Sequence, residues 1–324
     1  MDAVTATAGA IGANTNDYRW RGCRCTRHHS PGRTASRAGR NDRDFSSTGS
    51  WPYLQWRFGS QHRLFLGAAG RASGADLPGG EDFTGSEAEQ AWREAGIKLD
   101  GIVTVPGAKS GYAYLFFEES GEAMCFAYPG AAAVAPPPLF NPHDFVVVAP
   151  VFGGFTQPLL QTALERKLRV VVSGIVAAGL VPYLPYLYAL VINSGEANTL
   201  CEQLGKSSYD GLAAEFPHLL LYITKGSQGS CVYFNGRREQ VAPVQAAVFI
   251  DPTGAGDSYT AGVVAALLRD LDPVTAGIVG ATNASYVVEA FGAQTNLPTW
   301  PQVVARARQM GIERLGTDGS DRHA

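Results

Sequence analysis

Residues 247–262 read Ala-Val-Phe-Ile-Asp-Pro-Thr-Gly-Ala-Gly-Asp-Ser-Tyr-Thr-Ala-Gly. Apolar residues lead into Asp251-Pro252-Thr253, then Gly254-Ala255-Gly256, then Asp257 and an Ala- and Val-rich run of helical composition. Glycines just ahead of a helix bare backbone N–H groups at its positive end, which is a ready site for a phosphate. A carboxylate in the first helical turn, beside that anion site, can accept a proton from an attacking hydroxyl. Phosphoryl transfer needs those two parts side by side. Taken alone, Gly-x-Gly-Asp is equally a glycine turn whose Asp only favours the helix dipole.

Rival phosphate motifs fail. A dinucleotide fingerprint on Gly254-x-Gly256 needs a third glycine where Tyr259 stands, and would set Asp257 against a pyrophosphate. Gly205-Lys206-Ser207 resembles the end of a P-loop, but the glycine required upstream is Leu200.

Outward from this stretch the pattern is regular. Strands are predicted at 145–149, 169–173, 188–192 and 219–224. Between them fall helices at 158–167, 183–187, 194–204 and 209–215. Strands alternating with helices at this spacing predict an α/β fold with a parallel sheet covered on both faces. A hairpin through Asn235-Gly236 joins strands 231–234 and 238–243, and helices at 256–269, 273–290 and 300–311 complete the chain. Toward the amino end lie a short strand at 64–67, a helix at 86–95 and an aromatic hairpin, 111–117 with 123–128. Tyr128-Pro129-Gly130-Ala131 follows as a rigid turn.

Two further segments sit where a sheet edge would gather ligands. Thr224-Lys225-Gly226-Ser227-Gln228-Gly229 closes a strand with two glycines that would let a nucleotide approach the backbone, although a plain hairpin turn reads the same way. Asn193-Ser194-Gly195-Glu196 is at least an N-cap with an acidic first turn. Small residues at 281–285 suit either close packing against an adenine ring or helix–helix contact.

The string 251–257 matches the second signature of the ribokinase-type carbohydrate and nucleoside kinases, the PfkB family, which the chain resembles over about 64–311. The resemblance implies a ribokinase-like three-layer α/β/α sandwich with a mostly parallel central sheet and a small β lid around 100–130. It implies Asp257 as catalytic base, with the backbone of Gly254, Ala255 and Gly256 as the anion hole. Thr224, Gly226 and Gly229 fall at the family's nucleotide segment. Asn193 and Glu196 resemble its magnesium and phosphate motif, with Glu196 reaching the metal through water. ATP and Mg²⁺ are thus the implied cofactors, and a monovalent cation is left open. Asp257-Ser258-Tyr259-x-Ala261-Gly262 and the passage 283–300 resemble the nucleoside kinase-like, adenosine kinase-like branch. The implied reaction is transfer of the γ-phosphate to a primary hydroxyl of a nucleoside. A sugar or polyol kinase is the alternative, as is a catalytically impaired nucleotide-binding relative. A homodimer through the lid is a further expectation.

The first sixty residues depart from this pattern, with nine arginines, no lysine and four aspartates. No acceptor-binding Asp followed by a Gly-Gly-x-Asn helix stands in 1–63. A targeting extension, a basic arm and an error of reading frame all account for this leader, and the abrupt start of matching text at Leu64 favours the last. The expected organisation is a leader over 1–63, the kinase domain over 64–315 and a disordered tail over 316–324. A net charge of −3 and 45% hydrophobic residues argue against a nucleic-acid binder and for a substantial core. No apolar run reaches the roughly 20 residues of a membrane span. The five scattered cysteines fit a reducing cytoplasm, with organelle targeting by the leader left open.

Overall fold

The computed structural model describes residues 73–74, 77–117, 123–133, 145–148, 153–174, 179–309, 311 and 315. The expected strand at 64–67, the leader and the tail lie outside these residues.

Four parallel strands make up one side of a six-stranded sheet: β7 (Phe145–Val148), β8 (Arg169–Ser173), β9 (Ala189–Asn193) and β10 (Leu220–Thr224). Two antiparallel strands, β11 (Ser230–Phe234) and β12 (Arg237–Val241), extend it on one side. Asn235 and Gly236 turn between them with φ of 50° and 71°, the left-handed pair that suits a two-residue hairpin. The parallel strands read as continuous Val, Leu and Ile because both their faces are buried. Val170 and Val172 of β8 join one core cluster, and Val171, between them, joins the other.

The first cluster packs β7–β10 against α2 (Gly153–Glu165), α3 (Ser194–Gln203) and α4 (Tyr209–Glu215). The second packs the opposite face against α5 (Ala255–Leu267), α6 (Pro273–Val287) and α7 (Trp300–Gln309). Each fully buried Leu, Ile or Val contributes about 1.5–3 kcal/mol relative to exposure, so the two clusters carry most of the fold's driving force. The α5–α6 contact is very close. A Cβ built on Gly262 would lie 2.8 Å from the Cα of Gly280, and one on Gly280 would lie 2.8 Å from the Tyr259 carbonyl oxygen.

The remaining described elements are short. They are β1 (Ser73–Gly74) paired with β3 (Ile97–Lys98), β2 (Leu77–Gly79) paired with β4 (Ile102–Thr104), and α1 (Glu87–Glu94). The aromatic hairpin is present as β5 (Tyr112–Phe117) and β6 (Ala123–Tyr128), with the rings of Tyr112 and Tyr128 5.0 Å apart.

Several expected boundaries move by a residue or two, and others move further. Helix α2 begins at Gly153 rather than 158 and carries Pro158 inside it, where the Thr162 hydroxyl donates to the Pro158 carbonyl at 2.8 Å. The turn expected as a helix at 183–187 is a 3₁₀ segment, Val181–Tyr186, because Pro182 and Pro185 deny it successive N–H donors. Helix α6 stops at Val287, short of 290.

Candidate functional site

The parallel register sets the site's height. Thr224 and Asn193 are direct partners on neighbouring strands, so both segments singled out from the sequence leave the sheet at one level of its carboxyl edge. Asn193 caps α3: its side-chain oxygen accepts from the Glu196 amide at 2.9 Å, while the Asn193 amide donates to Glu196 Oε2 at 2.8 Å. This is a complete capping box. The structural role of Asn193 and Glu196 is therefore filled within the chain itself.

After Thr224 the chain makes a tight turn, with the Lys225 amide donating to the Gly229 carbonyl at 2.8 Å. Its two glycines serve different ends. Gly226 has φ of +55° and open space where a side chain would project. Gly229 has φ of +81°, and a Cβ there would fall 2.2 Å from the Val241 carbonyl oxygen, so that glycine is required by the start of the loop after β12.

The segment from Asp251 to Asp257 is fixed from beneath. Asp251 is buried, and its carboxylate accepts from the Thr253 amide at 2.8 Å and the Gly292 amide at 2.9 Å. Gly254 is the residue before α5, with φ of 83° and ψ of 0°, a left-handed turn that aims the following amides outward. The Ala255 amide is spent on the Pro252 carbonyl at 3.1 Å. Among the described residues no acceptor engages the Gly256 amide, and a side chain at Gly256 would meet nothing within 4 Å. An anion could occupy that space. Asp257, in the first turn, is partly open to solvent yet set deep among protein atoms. Burial, reinforced by the charge of Glu196, raises its carboxyl from 3.8 to about 7.

A cleft of about 510 Å³ runs from this turn across the end of the sheet. Of the sequence-predicted residues, Thr224, Gly226, Gly229, Ala255 and Gly256 line it. Gly254 and Asp257 flank Ala255 and Gly256 but do not line the cleft. Neither do Asn193 and Glu196, and of the latter two it is Glu196 that makes itself felt, through its charge on Asp257. Among the described residues no group of three or more His, Cys, Asp or Glu side chains converges on one point.

Sequence reasoning missed the other wall, residues 243–249, which carry no periodicity, and Tyr259, whose hydroxyl pairs with that of Ser230 at 2.8 Å. Ala281, Ala284, Ser285 and Val288 also line the cleft. Their spacing of three, four and seven residues marks one helix face, and three of the four fall in the 281–285 stretch singled out from the sequence. Of the small residues expected at 281–285 to serve a ring or a helix contact, Ala281, Ala284 and Ser285 face the cleft, while the close packing falls on Gly277 and Gly280 just before them. No helix of the described residues is long and apolar enough to cross a membrane.

Comparison with known proteins agrees with this arrangement. Residues 77–300 match the family described as pfkB family carbohydrate kinase. A nucleoside kinase of Methanocaldococcus jannaschii is 50% identical over 92 residues, a stretch spanning 28% of this chain and 30% of that protein. A nucleoside kinase of Methanothermobacter thermautotrophicus is 29% identical over 248 residues, 72% of this chain and 78% of that one. Among solved structures, the M. jannaschii nucleoside kinase, an archaeal member of the ribokinase family, superposes with a TM-score of 0.69 at 28% identity, covering 77% of this chain and 85% of that one. The nucleoside kinase of Burkholderia thailandensis in complex with inosine shares the fold, with a TM-score of 0.69 at 20% identity and 78% and 84% coverage.

Proposed function

The chain belongs to the pfkB family of carbohydrate kinases, phosphotransferases that act on a hydroxyl group, and we propose that it transfers the γ-phosphate of ATP to a primary hydroxyl of a nucleoside. One observation carries this reading: at a helix start with open space beside it, the Gly256 amide, which no acceptor among the described residues engages, lies one residue from a carboxyl raised to about 7.

In this reading the γ-phosphate rests over Gly254 and Gly256 at the positive end of α5. Asp257 takes the proton of the acceptor hydroxyl as its oxygen attacks phosphorus in line. The new O–P bond forms while the bond to the β-phosphate bridging oxygen breaks, and ADP leaves with the electron pair. The Gly256 amide and the helix dipole stabilise charge on the equatorial oxygens, the dominant contribution in this chemistry. Proton affinity near 7 suits a base that works at neutral pH. The base of the nucleotide lies in the cleft between residues 243–249 and Ala281 and Ala284 of α6.

With few carboxylates at the site, Mg²⁺ would be held chiefly by the phosphates, with Glu196 reaching it through water. When bound it supplies charge neutralisation at the phosphates.

Nucleoside as acceptor rests on the nucleoside kinases among the relatives. The test is a screen with ATP and adenosine, inosine, cytidine, ribose, fructose and inositol, read by ADP release. Turnover confined to nucleosides supports the proposal. Turnover with a free sugar or polyol instead makes this a sugar kinase, and ATP binding with no transfer to any acceptor makes it a non-catalytic relative.

A further inference from the structure

Every residue from 243 to 249 lines the cleft, yet this wall has little to hold it. The segment has no regular secondary structure, and Val248 and Phe249 are 51% and 68% exposed. Among the described residues only one hydrogen bond joins it to the rest of the chain: the Ala247 amide donates to Glu289 Oε1 at 2.8 Å. The next anchor is the Ile250 amide on the Val288 carbonyl, at the loop's end.

Glu289 is itself fixed. Arg306 of α7 grips both its carboxylate oxygens, Nη1 to Oε1 at 2.9 Å and Nη2 to Oε2 at 3.3 Å. The guanidinium lies over the Tyr286 ring, 3.3 Å from its centre, and Nη1 also reaches the hydroxyl of Ser285 at 2.9 Å. Both side chains of the ion pair are mostly buried, at 18% and 12% exposure. One planar cation therefore connects the two walls of the cleft, Ser285 directly and Ala247 through Glu289. A lysine could not match this fork, since it offers a point charge in place of paired donors.

We propose that Glu289, aimed by Arg306, is a positioning residue that holds the 243–249 wall in the shape that receives the nucleotide's base. This rests on the ATP-site reading above and deepens it. Glu289 is remote from the reacting atoms, so its loss should weaken nucleotide binding and leave the chemical step alone.

The experiment uses the full chain, with Glu289→Ala and Glu289→Gln beside the parent protein. The glutamine keeps a side-chain oxygen for the Ala247 amide, so a fold-wide fault in the alanine variant is separable from the missing bond. Two readouts are taken: amide hydrogen exchange of the peptide spanning 243–250 without ligand, and steady-state kinetics in ATP. Glu289→Ala should speed exchange in that peptide and raise the KM for ATP roughly tenfold, the loss expected for one charge-assisted hydrogen bond. Its kcat should stay within about twofold, and Glu289→Gln should recover only part of both losses, since its oxygen can take the Ala247 amide while its nitrogen cannot accept from Arg306. Unchanged exchange in Glu289→Ala overturns the proposal, as does a fall in kcat with KM intact. A parent protein with no affinity for ATP overturns the function proposed above. The exchange measurement still judges the Glu289 contact in that case.

Discussion

Asp257→Asn separates the chemistry from the fold. In the native protein the carboxyl is raised from 3.8 to about 7, by burial first and the Glu196 charge second. In the unfolded chain it returns to an ordinary aspartate value. The native state therefore binds this proton more tightly, and the stability it contributes is whole below about pH 4 and is lost as pH climbs through 7. At 1.36 kcal/mol per decade of proton affinity, ionisation costs the fold on the order of 4 kcal/mol at pH 8.5, but only on the order of 2 kcal/mol at pH 5. An amide of the same shape carries no such cost. Urea unfolding at the two pH values should then show the Asn variant gaining about 2–3 kcal/mol over the parent protein as pH rises. Partial exposure of the carboxyl makes this an upper bound. Turnover should fall by about 10²–10⁴-fold with ATP binding kept. A stability difference that does not change with pH would mean that the carboxyl ionises as freely as in water, and the argument for a desolvated base would be lost.

Gly256→Ala adds a methyl into open space at an ordinary helical φ. It should leave the melting temperature unchanged within about 2 °C and sharply weaken ATP turnover, because the methyl occupies the anion's position. Glu196→Gln keeps the capping box but removes a charge that raises Asp257. The rising limb of the pH–rate profile, set near pH 7 in the parent protein, should move to lower pH. Gly262→Ala drives a methyl to 2.8 Å from the Gly280 Cα, and thermal unfolding should register a loss of about 1–3 kcal/mol.

The sequence made the sheet legible where one physical signal dominated. Unbroken runs such as Val170-Val171-Val172 leave a strand buried on both faces as their natural reading, and β8 lies where it was expected. The Gly254 turn was legible for the same reason, since a left-handed residue at a helix start calls for glycine. Pro158 misled, because a proline suggests a helix start while the actual helix begins five residues earlier. The wall at 243–249 was invisible, since its position depends on Glu289 and, through it, on Arg306, contacts between residues 42 and 17 positions apart that no local pattern announces. Gly229 was read for ligand approach and does line the cleft, but the backbone of 241–243 and a φ of +81° demand a glycine there in any case.

Helices α5 and α6 approach backbone to backbone at Gly262 and Gly280. Gly256 belongs to the first helix, Ala281 and Ala284 to the second, so these cleft-lining residues ride on two closely packed helices. On the function proposed above, the phosphate end and the base end of the nucleotide would then rest on helices whose separation is fixed by that glycine contact.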